Sequence, residues 1–147
     1  MKLPTTTEDF KNEFFKSVDM MNELGDLRMR QFIQILPKVH DEIIVEGIIS
    51  IFENKNRDNT IYVDQKYAGL ILKTLQPTTT IDLAVILNRI IENWNKSVEE
   101  LPFWLRDNYD IETLKKTFFK IENKNLSQLA TDKINTMKWL LRIKLKQ

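Results

Sequence analysis

Apolar residues recur along most of this chain at spacings of three and four, the pattern of helices that bury one face. Phe10, Phe14, Val18 and Met21 share one face of a predicted helix from Glu8 to Leu24. Thr7 stands where a side-chain cap belongs, and Glu8 and Asp9 suit the positive end of the helix dipole. Gly25 occupies the position of a left-handed cap. Asp26 then caps a second helix, Leu27 to Leu36, which Pro37 ends. Farther on, Val63, Tyr67, Leu70, Ile71 and Thr74 mark a helix from Val63 to Gln76, stopped by Pro77. Thr78, Thr79 and Thr80 offer caps for Ile81 to Asn95, whose stripe is Leu83, Leu87, Ile90, Ile91 and Trp94. Ser97 and Glu100 have the spacing of a capping box and open a short helix through Arg106, with Pro102 near its first turn. Asp110 caps Ile111 to Glu122, with Leu114, Phe118 and Ile121 on one side. Ser127 caps a last helix running toward Lys146 on the stripe Leu126, Ala130, Ile134, Met137 and Leu141.

One stretch reads two ways. Val45, Ile48, Ile51 and Phe52 fit a helix stripe within Val39 to Asn54, yet its β-branched richness also suits a strand. The strand version is a hairpin: Ile48 to Glu53, a polar loop Asn54 to Asn59, then Thr60 to Asp64. Apolar and polar residues do not alternate cleanly from Ile43 to Ile51, which favours the helix. The expectation is therefore an all-α single domain, 1–147, of about eight helices, with an α+β fold carrying a hairpin at 43–64 as the alternative. The helices group as antiparallel pairs, 8–36, 39–76, 81–107 and 111–146. That pair size fits a short α-solenoid or a compact helical bundle. Gly25, Gly47 and Gly69 are evenly spaced, but their flanks do not match, so the spacing is read as coincidence.

Composition narrows the chemistry. The 147 residues contain no Cys, one His and 3 Gly. Disulfides, thiolate zinc sites, cysteine nucleophiles and multi-histidine sites are excluded, and a glycine-rich phosphate loop is disfavoured. No cofactor motif occurs. The N-terminal stretch lacks a signal-peptide apolar region and no apolar run approaches a transmembrane helix, so the expected location is cytoplasmic. The sequons at Asn95 and Asn125 are then chance. Seventeen Ile, 16 Lys and 12 Asn against 3 Ala and 6 Arg point to an A/T-rich, bacterial genome.

The net charge of +1 argues at first against charged partners. Dividing the chain reverses that. Residues 115–147 carry nine basic and two acidic side chains, a net +7; residues 1–114 carry thirteen basic and nineteen acidic, a net −6.

Four places carry candidate chemistry. His40, Asp41 and Glu42 mix an imidazole with carboxylates, though neighbours on a helix diverge by about 100° and suit its N-terminus anyway. Glu42, Glu46 and Glu53 lie within about 40° of one another on a helix, forming an acidic row for a basic partner, a cation, or water. Trp94 to Tyr109 holds two of the three Trp; Trp104 and Arg106 are either interface anchors or, for the indole, core. On the last helix, Lys138, Trp139, Arg142 and Lys146 offer a basic aromatic surface; the plainer alternative covers Trp139 with a neighbouring helix.

The stretch Ile90-Ile91-Glu92-Asn93-Trp94 through Trp104-Leu105-Arg106-Asp107, with the terminal Met137-Lys138-Trp139-Leu140-Leu141, resembles small bacterial proteins built of HEAT-like helix pairs. The resemblance covers about two thirds of the chain and carries no catalytic motif. It implies an adaptor or a toxin-immunity partner and assigns no residue a role. The expected function is a non-enzymatic protein-binding module. Nucleic-acid or anionic-surface binding through Lys133, Lys138, Trp139, Arg142 and Lys146 is the alternative. A carboxylate metal site at Glu42 and Glu46 beside His40, and homo-association of acidic body with basic end, stand behind these.

Overall fold

Helix α4, Asp41–Glu53, is the centre of the computed structural model, which describes residues 1–144. Its residues Ile44, Val45, Ile48, Ile49, Ile51 and Phe52 are all buried. They cover most of the helix circumference, because α1 (Thr7–Asp19), α5 (Ile61–Leu75) and α6 (Leu83–Ile90) pack around it. Its polar residues Glu42, Glu46, Ser50 and Glu53 recur at four, four and three, which is a helical stripe. The β-branched richness thus reflects burial on several sides, not a pleated strand. No strand occurs among the described residues, so the hairpin at 43–64 and the α+β alternative are overturned.

The other helices are α2 (Met21–Leu24), α3 (Leu27–Ile35), α7 (Glu100–Asn108), α8 (Ile111–Glu122) and α9 (Gln128–Leu140), with a 3-10 turn at Leu36–Lys38. The fold is an all-helical bundle in which α1 packs on α4, α4 on α6 and α6 on α8, while α5 packs on both α4 and α7. One hydrophobic cluster extends from Phe10 to Ile143.

Local capping chemistry explains where the sequence reading succeeds and slips. Asp110 accepts the N–H of Thr113 at 2.7 Å and Ser127 that of Ala130 at 3.0 Å, as expected. Thr6, not Thr7, caps α1 by accepting the Asp9 N–H at 3.0 Å. Asp82, not the threonine run, caps α6 through Ala84 at 3.2 Å. The Ser97–Glu100 capping box does not form, because the Ser97 N–H and hydroxyl both turn to the Asn95 side-chain oxygen, at 2.9 and 2.6 Å. Helix α9 stops at Leu140 instead of running toward Lys146. Arg142 takes a left-handed backbone, φ +58°, its N–H bonds Trp139 C=O at 3.1 Å and the Ile143 N–H bonds Lys138 C=O at 2.7 Å. This is a Schellman closure with arginine where glycine usually sits.

Two loops are held by side chains that reach backbone. The segment 76–82 is fixed from α7: the Trp104 indole donates to Pro77 C=O at 2.7 Å, the Thr79 N–H donates to Asn108 at 3.3 Å, and the Tyr109 hydroxyl donates to Ile81 C=O. The segment 91–98 is fixed from three directions, by α5, the end of α4 and α9. Gln65, wholly buried, donates to Asn93 C=O at 2.8 Å and accepts the Asn95 N–H at 2.7 Å. Asn93 donates to the carbonyls of Phe52 and Asn54, both at 2.8 Å. Lys133 on α9 donates to the carbonyls of Glu92 and Trp94, and Lys96 pairs with Asp132 at 2.6 Å.

Two expectations follow. Gly47 lies where α1 crosses α4, and a Cβ there would stand 2.3 Å from the Phe10 ring. Gly47→Ala gains about 1 kcal/mol of helix propensity but incurs overpacking of about 1–3 kcal/mol, so a urea melt should show net destabilisation. An unchanged or raised midpoint would refute the close crossing. Separately, burial and then Asp82 push the Tyr109 phenol from 10.0 up to about 12. The folded chain holds this proton more tightly than the unfolded one. The associated stability is therefore full below pH 10 and is lost as pH rises from 10 to about 12. Denaturation midpoints of Tyr109→Phe should fall less over that window than those of the parent chain.

Candidate functional site

The acidic row on α4 is neutralised from within. Arg89 of α6 donates through Nη1 to Glu46, with an N–O separation of 2.8 Å, and through Nε to Glu53 at 3.0 Å. Its Nη2 completes a two-pronged bond to Glu53 and reaches Ser50 at 3.4 Å. Hydrogen bonding to Glu53 foremost, then to Glu46, holds this guanidinium above the ordinary arginine range, against partial burial. Glu46 and Glu53 therefore form an interhelical clasp with Arg89. Arg57 makes a comparable clasp. It reaches Asp64 at 2.9 Å and Asp19 at 2.7 Å and lies over the Phe15 ring at 4.3 Å, joining α1, α5 and the loop before α5.

Glu42 stays exposed. With His40, Asp41 and Glu46 it lines an open groove of about 900 Å³ against Thr78, Thr79 and Thr80. The Asp41 carboxylate accepts the N–H and hydroxyl of Thr78 at 2.9 and 3.1 Å, so it serves to tie α4 to the 76–82 segment. Among the described residues, no group of three or more His, Asp or Glu is arranged to hold a metal ion.

Trp104 is core: 4% exposed, with its N–H satisfied by Pro77. Arg106 is exposed and lies over the Phe103 ring at 4.9 Å. Trp104 nevertheless forms part of the floor of a second groove, about 320 Å³, between the end of α5 and α7. Leu72 and Phe103 complete that floor, and Glu99, Glu100 and Asp107 stand along it. The α7 residues fall at helical spacing in the sequence. The α5 wall, about thirty positions earlier in the chain, is what makes a groove of them, and no sequence pattern announced it.

The basic end divides into two groups. Lys138 is buried, and its ammonium meets Glu122 of α8 at 2.7 Å, with side chains 7% and 9% exposed. It is a structural ion pair, turned inward and not toward a partner. Lys133 is spent on the carbonyls of Glu92 and Trp94, just beyond α6. Burial, and secondarily Lys96, lowers its pKa, while Asp132 opposes the shift. Lys115, Lys116, Lys120, Lys124, Arg142 and Lys144 are exposed and have no ion pair among the described residues. Lys146 lies outside the described residues.

Trp139 is 70% exposed, so no neighbouring helix among the described residues covers it, and the plainer expectation is overturned. Phe119 on α8, which the sequence reading did not single out, is 65% exposed. A helical wheel shows the signal that could have found it. Phe119 sits next to the inward Phe118 but in phase with Lys115, on the polar side. No helix among the described residues is long and apolar enough to cross a membrane.

The buried pair yields a test. Lys138→Ala strands the Glu122 carboxylate and should lower stability by about 3–5 kcal/mol, whereas Lys138→Met with Glu122→Leu should lose much less. Urea midpoints for these variants, beside Lys116→Ala as an exposed control, decide the matter. A Lys138→Ala loss no larger than the control would rule out the structural role.

Comparison with known proteins returns no match to any family model, curated protein or solved structure.

Proposed function

We propose that this protein is a non-enzymatic helical binding module that takes a protein partner on the end of its last helix, through Trp139 and Arg142. The observation that carries this reading is the exposure of Trp139, at 70%. An indole left in water gains nothing for folding, yet it brings the largest apolar surface of any side chain to an interface and ranks among the residues that dominate binding energy.

Arg142 adds a second line of support. Its left-handed backbone costs an L-residue about 1 kcal/mol that glycine would avoid. The chain keeps a charged, exposed side chain three positions after Trp139 despite that cost. The unpaired lysines of α8 and Lys144 supply a positive field that speeds encounter with an acidic partner. Such a module fits an adaptor or an immunity-type inhibitor of a toxin, working in a bacterial cytoplasm.

The same residues admit nucleic acid or an anionic surface as the ligand, and the test separates these. Immobilised protein at low salt should capture a defined protein from the source organism. Trp139→Ala should weaken capture by about thirtyfold or more, as expected of an interface anchor, with an unchanged melting temperature. Arg142→Gly should raise stability by about 1 kcal/mol while weakening capture. Retention of RNA, DNA or anionic vesicles without any protein would overturn the reading. So would capture that is indifferent to Trp139.

A further inference from the structure

We propose that α8 seats Phe119 in the α5–α7 groove of a second copy of this chain. The groove and the residue that would fill it are different surfaces of one molecule, and each has what the other lacks.

The groove has an apolar floor of Leu72, Phe103 and Trp104 and a volume of about 320 Å³, within the range of sites that enclose a side chain or small ligand. Glu99, Glu100 and Asp107 border it, and none of the three has a cation within ion-pair distance among the described residues. Lys73 is the opposing charge on its lip. Arg106, on the same helix, is turned onto the Phe103 ring. The local balance is acidic, over an aromatic base.

On α8 the polarity is reversed. Phe119 is 65% exposed. At about 100° per residue, Lys115 lies to one side of it and Lys116 and Lys120 to the other. All three are exposed and unpaired among the described residues. Glu112 stands two turns earlier on the same face, and Glu122 is occupied by Lys138. A phenyl ring framed by three ammonium groups thus answers an aromatic groove framed by three carboxylates. Charge complementarity of this kind fixes register and suppresses the like-charged alternatives, groove on groove and α8 on α8. Because the two surfaces differ, the contact is heterologous: each copy offers one donor and one receptor.

This contact uses neither Trp139 nor Arg142, so it stands or falls apart from the proposed function. Sedimentation velocity on the purified full chain alone should show an average mass that rises with concentration at about 20 mM salt and returns to the monomer at about 500 mM. Phe119→Ala should weaken association at least tenfold. Lys116→Glu with Lys120→Glu should be monomeric, as should Glu99→Lys with Asp107→Lys. Mixed in equal amounts, these two double variants should associate again, because the intact groove of the first meets the intact α8 of the second and the reversed charges also complement one another. Circular-dichroism melts matching the parent chain confirm that each variant is folded. A parent chain that stays monomeric at low salt overturns the proposal. Association that survives Phe119→Ala overturns it too, as does a mixed pair that fails to associate.

Discussion

The rest of the molecule depends on the burial of α4. A helix enclosed by α1, α5 and α6 has nowhere to put polar groups except along one stripe, and that stripe is short: Glu42, Glu46, Ser50 and Glu53. Half-burying two carboxylates there is tolerable only with a cation held against them, and Arg89 of α6 is that cation. One arginine therefore determines how α6 lies on α4. Elsewhere on α4, the missing side chain of Gly47 determines how near α1 approaches. Apolar area drives the assembly, and these two contacts select its geometry.

Polar side chains that reach backbone then fix the connections. Trp104, Asn108 and Tyr109 anchor 76–82, while Gln65, Asn93 and Lys133 anchor 91–98. In both places the loop carbonyls would otherwise be turned from water without partners, which is costlier than leaving an exposed loop loose.

What was legible in the sequence was local. The caps at Asp110 and Ser127 bond N–H groups three residues away, so spacing alone reveals them. The helical phase of α4 was legible as well, through its polar stripe. Gly47 was visible only as a spacing, because its reason is Phe10, a residue of another helix. The acidic row was seen as a row, but its partner lies 36 and 43 positions along the chain, and nothing local points to Arg89. Lys138 was misassigned for a related reason: one turn after Ile134, it sits in the inward stripe, and only Glu122 on the adjacent helix makes that position tenable. Trp139 was correctly placed on the outward side, while its lack of a cover is a property of the packed molecule. Capping of α6 by Asp82 and the failure of the Ser97 capping box show competition between nearby side chains, where a one-residue difference in geometry decides.

The clasp at 91–98 has a consequence for how the molecule opens. A series of helices that rests mainly on successive neighbours can fray from one end while the other stays folded. Here the turn after α6 is held by both α9 and α5, and its Asn93 holds the end of α4. Release of any one of these contacts exposes polar backbone that the others had helped to shelter. Local fraying of α9 is thereby coupled to loss of order in the middle of the chain. The bundle acquires a cooperativity that its helix packing alone would not confer.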